Sequence, residues 1–439
     1  MVKLGSPYQG YLYAYPHKTA YRPLDPRPRL ADVWAGEDTA NLFLYVHVPY
    51  CEMRCGFCNL FTRANPPQEQ VGAYLAQLRR QARRVTAAIP GARFARAAIG
   101  GGTPTYLTAA ELTELFDLIE ATTRADLRTV PLSVETSPAT ATPDRLAVLR
   151  ERGATRISIG VQSFLDLEAH AAGRPQRRAE VERALDAIRA SGPAALNIDL
   201  IYGIPGQTPA TWDASLDAAL RWGPEELYLY PLYVRPLTGL GRKGGDEPDP
   251  AWDAQRLELY RRAVERLAGE GYEQLSMRQF RRAGGAEHPA GEHSGEYCCQ
   301  DDGMVGLGCG ARSYTSTLHY SFDYAVSVPH VRGILDDYLA RPEADFDLAE
   351  VGFALDGGEQ RRRWLLKSLL RAEGVDAAAY AARFGTTLDE DFPALDRLRA
   401  AGYVEGHRLT AEGLAHSDAI GPWLISTGVR AAMTGHVTR

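Results

Sequence analysis

The sequence contains no apolar run near the roughly 20 residues that a bilayer crossing requires. Its opening, Met1-Val-Lys-Leu-Gly, lacks the apolar core of a secretory signal. Positive charge is not in excess: 49 Lys and Arg against 55 Asp and Glu leave a net charge of −6. That removes the electrostatic case for nucleic acid or an anionic membrane surface. Cysteine is scarce, six in 439 residues, so no disulfide framework holds the chain. From these absences we expect a cytoplasmic protein in a reducing compartment, monomeric, with neither membrane nor nucleic acid among its partners. Apolar content of 45% and charged content of 24% are ordinary for a globular chain. The length exceeds one ordinary core, so a large domain plus something smaller is expected.

Three of the scarce cysteines fall together, in Tyr45-Val-His-Val-Pro-Tyr-Cys51-Glu-Met-Arg-Cys55-Gly-Phe-Cys58. An apolar, strand-like run ends at Pro49, and the thiols follow at spacing C-x3-C-x2-C. Thiolates are soft ligands that suit iron–sulfur clusters and zinc. A structural zinc site closes with a fourth Cys or His nearby. The first such residue upstream, His47, alternates with apolar neighbours and reads as a wall residue. Inert thiols are the other alternative. Three thiolates can hold three corners of a [4Fe-4S] cube and leave the fourth iron open.

Apolar runs at 42–48, 95–99, 132–135, 156–161, 196–201 and 227–232 set a rhythm. Helical spacing fills the gaps over Tyr74 to Val85, Ala109 to Ala121, Pro143 to Arg152, Ala179 to Ser191 and Pro209 to Trp222. Thr108, with Glu111 three residues later, forms a capping box. Strands alternating with helices of this length predict βαβ units and a parallel sheet. The expected fold class is α/β, a partial (β/α)6 TIM-like barrel over 41–240. Functional groups in such sheets gather at the C-terminal strand ends, where the cysteines lie. After the second strand comes Gly100-Gly101-Gly102-Thr103-Pro104-Thr105. Its glycines allow close approach to the backbone and Pro104 stiffens the turn. Alone that motif is weak; beside the cysteines it becomes specific.

Residues 1–40 form an aromatic tail, with Tyr8, Tyr11, Tyr13, Tyr15 and Tyr21 around Pro16-His17-Lys18. We expect it to pack over the barrel, with His17 and Lys18 as candidates to face a substrate. Residues 241–345 read as a barrel extension on the substrate side. Gly239 to Pro250 reads as a linker or surface loop. Trp252 to Glu270 reads as a helix, 283–296 as irregular, and 304–314 as a glycine-dense turn. From 346 to 439 a small C-terminal domain is expected. Its helices are Gln360 to Ala372, Val375 to Phe384 and Leu395 to Ala401, followed by a hairpin, a winged-helix-like order. The basic run Gln360-Arg-Arg-Arg363 reads as a solvated helix face.

Taken with these blocks, the chain resembles radical S-adenosylmethionine (SAM) enzymes, in the branch of the oxygen-independent coproporphyrinogen III oxidase (HemN) and its relatives. The shared blocks are Tyr45 to Cys51, Gly100 to Thr105, Ser133-Val-Glu135, Arg156-Ile-Ser-Ile-Gly-Val-Gln162-Ser-Phe and Asn197-Ile-Asp199-Leu-Ile-Tyr-Gly-Ile-Pro-Gly-Gln207. The resemblance implies that Cys51, Cys55 and Cys58 ligate a [4Fe-4S] cluster whose open iron chelates SAM. It implies that Tyr45 and Phe57 flank the cluster and cofactor. Gly101, Gly102 and Thr103 would meet the methionine end of SAM, and Glu135, Gln162, Arg174 and Asp199 would contact the rest. A carboxylate can hold an ammonium or ribose hydroxyls, and an arginine can hold a carboxylate. The implied chemistry is reductive cleavage of SAM to a 5′-deoxyadenosyl radical, which takes hydrogen from a small-molecule substrate. A flavodoxin or ferredoxin is the implied electron donor.

The resemblance leaves the substrate open. Oxidative decarboxylation of coproporphyrinogen III, in porphyrin biosynthesis, is one implied reaction. Methyltransferases and cyclopropanases that use two SAM molecules share the same blocks, and the related haem chaperone is not an enzyme. Between 276 and 314 the chain departs from these relatives: Ser276-Met-Arg-Gln-Phe stands where the chaperone has Ser-Asn-Tyr-Ala, and Arg312 takes a position that is apolar in HemN. Cys298, Cys299 and Cys309 read as buried, inert thiols.

Overall fold

The computed structural model describes residues 2–244, 249–284, 293–294, 297–300 and 303–435. Six strands run parallel and adjacent in chain order: β1 (Leu42–Val48), β2 (Phe94–Gly101), β3 (Leu132–Thr136), β4 (Arg156–Gln162), β5 (Ala195–Tyr202) and β6 (Glu226–Pro231). Between them lie α1 (Gln68–Ala88), α2 (Ala109–Thr123), α3 (Pro143–Glu151), α4 (Arg178–Ser191) and α5 (Pro209–Leu220). Strand alternation divides the side chains between two buried faces. On β1, Leu42, Leu44, Val46 and Val48 join the main core, while Phe43, Tyr45 and His47 occupy the alternate face. Burial on both faces makes the strands read as nearly continuous apolar runs. The capping box at α2 is formed: Glu111 N–H donates to Thr108 Oγ1 at 3.3 Å, and Thr108 N–H to Glu111 Oε2 at 2.8 Å.

The inward face carries polar residues in register. Arg156 Nε donates to Glu226 at 2.8 Å and its Nη1 to Ser133 Oγ at 3.0 Å. One turn of the pleat higher, Asn197 Nδ2 donates to Ser158 Oγ and to Asp199 Oδ1, both at 2.7 Å. Pairing these groups offsets the cost of placing them inside the barrel.

Beyond β6, helix α6 (Pro250–Gly269) leads to β7 (Tyr272–Gln274) and β8 (Gln279–Arg282), and β8 pairs antiparallel with β6. The other edge differs from the sequence expectation. The stretch 304–314 is not one turn: β9 (Met304–Leu307) pairs parallel with β1, and β10 (Arg312–Tyr314) turns back on it. Its glycines are required by contacts. A Cβ on Gly306 would stand 2.1 Å from the Arg312 carbonyl oxygen, and one on Gly310, at φ +99, would meet the His47 ring at 2.7 Å. Strands β11 (Leu318–Ser321) and β12 (Val351–Ala354) continue the sheet, and Arg22–Pro23 closes it. The segment 283–296 lies mostly outside the described residues.

The N-terminal segment does more than cover the barrel. Val2, Leu4, Leu12, Tyr15 and Ala20 are buried in a second core with Leu365, Leu366, Leu369, Tyr380, Leu395, Leu398 and Ile420. Tyr8 instead joins the main core, edge-on to Tyr202. The run Gln360–Arg363 is not a solvated face: Arg363 is wholly buried, with Nη1 donating to the Thr315 carbonyl at 3.1 Å. Among the described residues no helix is long and apolar enough to cross a membrane.

Candidate active site

Cys51 leaves β1 through Pro49 and sits in a two-residue strand, Tyr50–Cys51, paired with Arg63–Ala64. This pairing returns the chain and holds Cys55 and Cys58 in the loop between, where Cys58 N–H donates to the Cys55 carbonyl at 3.1 Å. All three thiols are free and partly exposed. Two distant segments fix the loop at Gly56: its N–H donates to Gly173 O at 3.0 Å, and Leu240 N–H donates to its carbonyl at 2.8 Å. The stretch 239–244, expected as a linker, is therefore a support for the cysteine loop.

The glycine motif at the end of β2 is zipped to the same loop. Gly102 N–H donates to Val48 O and Thr103 N–H to Tyr50 O, both at 2.7 Å. A Cβ on Gly102 would lie 2.5 Å from the Tyr50 carbonyl oxygen, and one on Gly101, at φ +113, 2.5 Å from the His47 ring. Only glycine permits this approach. Thr103 Oγ1 donates to Cys51 Sγ at 3.5 Å, and Gly101 N–H donates to Glu135 Oε2 at 3.1 Å. Glu135 itself is exposed at the end of β3.

Gln162, Arg174 and Asp199 converge from β4, the following turn and β5. A register shift at Gly160 places Gln162 in the left-handed region, at φ +69. A Cβ on Gly160 would meet Gln162 Nε2 at 2.8 Å and Arg174 Nη1 at 3.5 Å. Arg174 Nη1 in turn lies 3.7 Å from Cys55 Sγ. Burial lifts the Asp199 carboxyl to about 6, opposed by the Asn197 hydrogen bond and by the charges of Arg156 and Arg174. Burial also pushes the Cys51 and Cys55 thiols up, while Thr103 and Arg174 respectively favour their thiolates.

Tyr45 stands 3.2 Å from His47 Nδ1 by its hydroxyl, and His47 Nε2 is 3.0 Å from Phe61 O. The second contact fixes Nε2 as the donor and makes Nδ1 an acceptor for Tyr45. Burial lowers the imidazole to about 4, so it is neutral at pH 7. Phe57 packs on Ala172, Ile201, Ile204 and Leu232, beside the Gly56 contact. Two features escaped the sequence reading. Glu52, between the first two cysteines, accepts from Ser137 Oγ at 2.7 Å, and its other carboxylate oxygen is buried with no partner. The Gly173 and Leu240 backbones hold Gly56. Only the place of Glu52 inside the cysteine motif could have marked it. Cys299 and Cys309 are buried, and neither forms a disulfide.

The profile of the family described as "Radical SAM superfamily" matches residues 45–219. The haem chaperone HemW of Bacillus subtilis (strain 168) is 27% identical over 354 residues, covering 80% of this chain and 89% of that protein. An oxygen-independent coproporphyrinogen III oxidase of Cereibacter sphaeroides is 29% identical over 384 residues, covering 85% and 82%. Residues 45–219 thus match the radical SAM superfamily, and the chain as a whole is similar to HemN- and HemW-like proteins. The solved structure of Escherichia coli coproporphyrinogen III oxidase, HemN, shares the fold, with a TM-score of 0.80 at 24% identity, over 94% of this chain and 96% of that one. The cofactors of the radical SAM family are a [4Fe-4S] cluster and SAM.

The residues present fit these groups. Among the described residues no three His, Cys, Asp or Glu side chains converge as ligands of a single ion would. A cluster takes one thiolate per iron, so its ligands need not share one centre. Three free thiols on one loop, beside a backbone that only glycine can form, supply a soft donor set and room for a ligand.

Proposed function

We propose that this HemN-like chain reductively cleaves SAM and takes hydrogen from a small molecule held in the barrel lumen. One observation carries the reading: Thr103 from the glycine motif and Arg174 from the turn after β4 both rest on cysteine sulfurs, at 3.5 and 3.7 Å. Residues suited to an amino acid and a nucleoside are thus placed at the thiols that suit a cluster.

Cys51, Cys55 and Cys58 would hold the cluster, with Tyr45 and Phe57 beside it. When bound, it supplies one electron to the sulfonium of SAM and frees a 5′-deoxyadenosyl radical. The remaining work belongs to the chain. Gly101, Gly102 and Thr103 offer backbone to the methionine end. Glu135 accepts from an ammonium, Arg174 donates to a carboxylate, and Asp199 and Gln162 meet hydroxyls. The tyrosine-rich segment and the C-terminal helices keep water from the lumen. A flavodoxin or ferredoxin would deliver the electron.

An enzyme fits better than a haem carrier. Both ring nitrogens of His47 are engaged, and Arg278 lies in a buried ion pair with Asp418 at the start of β8. Coproporphyrinogen III is the first substrate to try, since that name recurs among the relatives.

The test is anaerobic reconstitution with iron and sulfide, reduction, and incubation with SAM. We expect 5′-deoxyadenosine from the wild type and loss of bound iron in the Cys51→Ala, Cys55→Ala and Cys58→Ala variants. No 5′-deoxyadenosine, with iron unchanged in the variants, would sink the proposal. Carbon dioxide released from coproporphyrinogen III would identify the oxidase; a labelled methyl carried from SAM to product would identify a methyltransferase.

A further inference from the structure

Lys18 and Arg312 come together from opposite parts of the chain. Lys18 belongs to the N-terminal segment, and its Nζ lies 3.3 Å above the Tyr324 ring. Arg312 opens β10, next but one to β1 in the sheet. Its Nη1 donates to the Tyr13 hydroxyl at 2.9 Å and its Nε to the Tyr314 hydroxyl at 3.0 Å. Tyr13 also lies face-on to the guanidinium, 4.7 Å away. The Tyr324 hydroxyl donates to the Asn59 carbonyl, one residue past Cys58, so the ring under Lys18 is fastened to the cysteine loop.

These two cations lack what buried cations ordinarily have. Among the described residues no carboxylate pairs with either one. Burial, and then repulsion from Arg312, push the Lys18 ammonium well below its ordinary range, opposed only by Cys58, so it lacks an anion to hold its proton. The groups acting on Arg312 are phenols. Removing two like charges from water without an acid partner is costly, and phenol and ring contacts repay only part of it. The His47 and His319 rings nearby are both pushed down by burial and by the Arg312 charge, and neither offers an anion. Glu135, Gln162, Arg174 and Asp199 approach from β3 to β5, on the opposite side of β1. The Lys18–Arg312 side is therefore a second, separately built wall of the same lumen.

We propose that Lys18 and Arg312 form a carboxylate clamp, which holds an acid group of the ligand that enters the lumen beside β9 and β10. The clamp rests on the SAM-cleaving reading given above, since it needs the lumen to be a ligand chamber. Arg312 presents Nη2 while its other donors are held in place by Tyr13 and Tyr314, and Lys18 adds an ammonium from the facing segment whose proton an arriving carboxylate would hold. Two ligands carry the required group: an acidic substrate, and a second SAM through its amino-acid carboxylate.

The experiment uses reconstituted holoprotein and three probes: labelled SAM, coproporphyrin III, and the tetramethyl ester of coproporphyrin III, which has no free acid. Wild type, Lys18→Met, Arg312→Met and Arg312→Lys are compared by equilibrium dialysis and fluorescence quenching. We expect each methionine variant to weaken one acid probe by on the order of tenfold to a hundredfold, the range of a lost charge-assisted hydrogen bond. The ester should be indifferent to both. Loss confined to coproporphyrin III assigns the clamp to substrate. Loss of a second equivalent of SAM, with the first retained, assigns it to that cofactor. Arg312→Lys keeps the charge and should lose less than Arg312→Met; an equal loss overturns the clamp. So does unchanged affinity for both acids, or a change confined to iron content and the cluster's EPR signal, which would assign the cations to the cluster. The same samples are assayed for 5′-deoxyadenosine. Its absence from wild type removes the SAM-cleaving reading, while the probe affinities still judge the clamp.

Discussion

Arg174 lies 3.7 Å from the Cys55 thiol while its Nε donates to Gln176 Oε1 at 2.9 Å. The two residues meet because Gly56 and Gly173 touch backbone to backbone: a Cβ on Gly173 would stand 2.7 Å from Gly56 Cα. The turn after β4 thereby positions an arginine at the cluster loop. Replacing Arg174 by Met should raise the dissociation constant for SAM about tenfold or more, the loss of one charge-assisted hydrogen bond. Bound iron should stay constant. Equilibrium dialysis and an iron assay on the same sample separate the two effects.

The Gly56 contact should tolerate no side chain. A Cβ there would fall 2.8 Å from the Ala172 carbonyl oxygen and 3.0 Å from Gly173 Cα, so backbone must separate. Gly56→Ala is expected to cost about 1–3 kcal/mol as overpacking. Thermal unfolding should show a lower midpoint, and reconstitution should give less iron per chain.

Asp199 should make both stability and ligand binding depend on pH. Its folded pKa, about 6, lies above the ordinary aspartate value of 3.8. A raised acid stabilises the fold most below its unfolded pKa, and that contribution fades as pH rises through the folded value. If the ionised form holds hydroxyls, SAM affinity should move the other way and fall as pH drops below about 6. Asp199→Asn should flatten both dependences, read by chemical unfolding and by dialysis between about pH 5 and 7.

The ion pair between Arg278 and Asp418 ties β8 to the C-terminal helices. Its side chains are 4% and 2% exposed, and Tyr233 donates to the same carboxylate. Asp418→Ala leaves Arg278 buried without its counter-charge, at an expected cost of about 3–5 kcal/mol. Urea unfolding checks the value. A loss below about 1 kcal/mol, the scale of an exposed pair, would show that water reaches the site.

What could be read from the chain alone follows from how local each signal is. The six barrel strands were legible because both their faces are covered, which writes apolar runs into the sequence. Cys51, Cys55 and Cys58 sit on one loop, so their spacing carried the site. β9 was not legible, because Gly306, Gly308 and Gly310 read as a turn. Their reason lies elsewhere in the chain, in the Arg312 carbonyl, the Tyr74 hydroxyl and the His47 ring. Arg363 was misread for the same reason: Thr315 and His319, which it meets, lie far from its basic run. Glu52 carries no signal of its own in the sequence, and only the Ser137 contact shows it turned inward.

The parallel pairing of β9 with β1 also governs how the protein must assemble. Strand β1, which delivers Cys51, keeps an unsatisfied edge until Met304 to Leu307 arrive beside Phe43 to Val46. Contacts so distant in sequence form late, because their loops are expensive to close. The first strand of the barrel is thus among the last to be sealed. Until then it presents an open row of amides to other chains, so aggregation during refolding should begin at this edge.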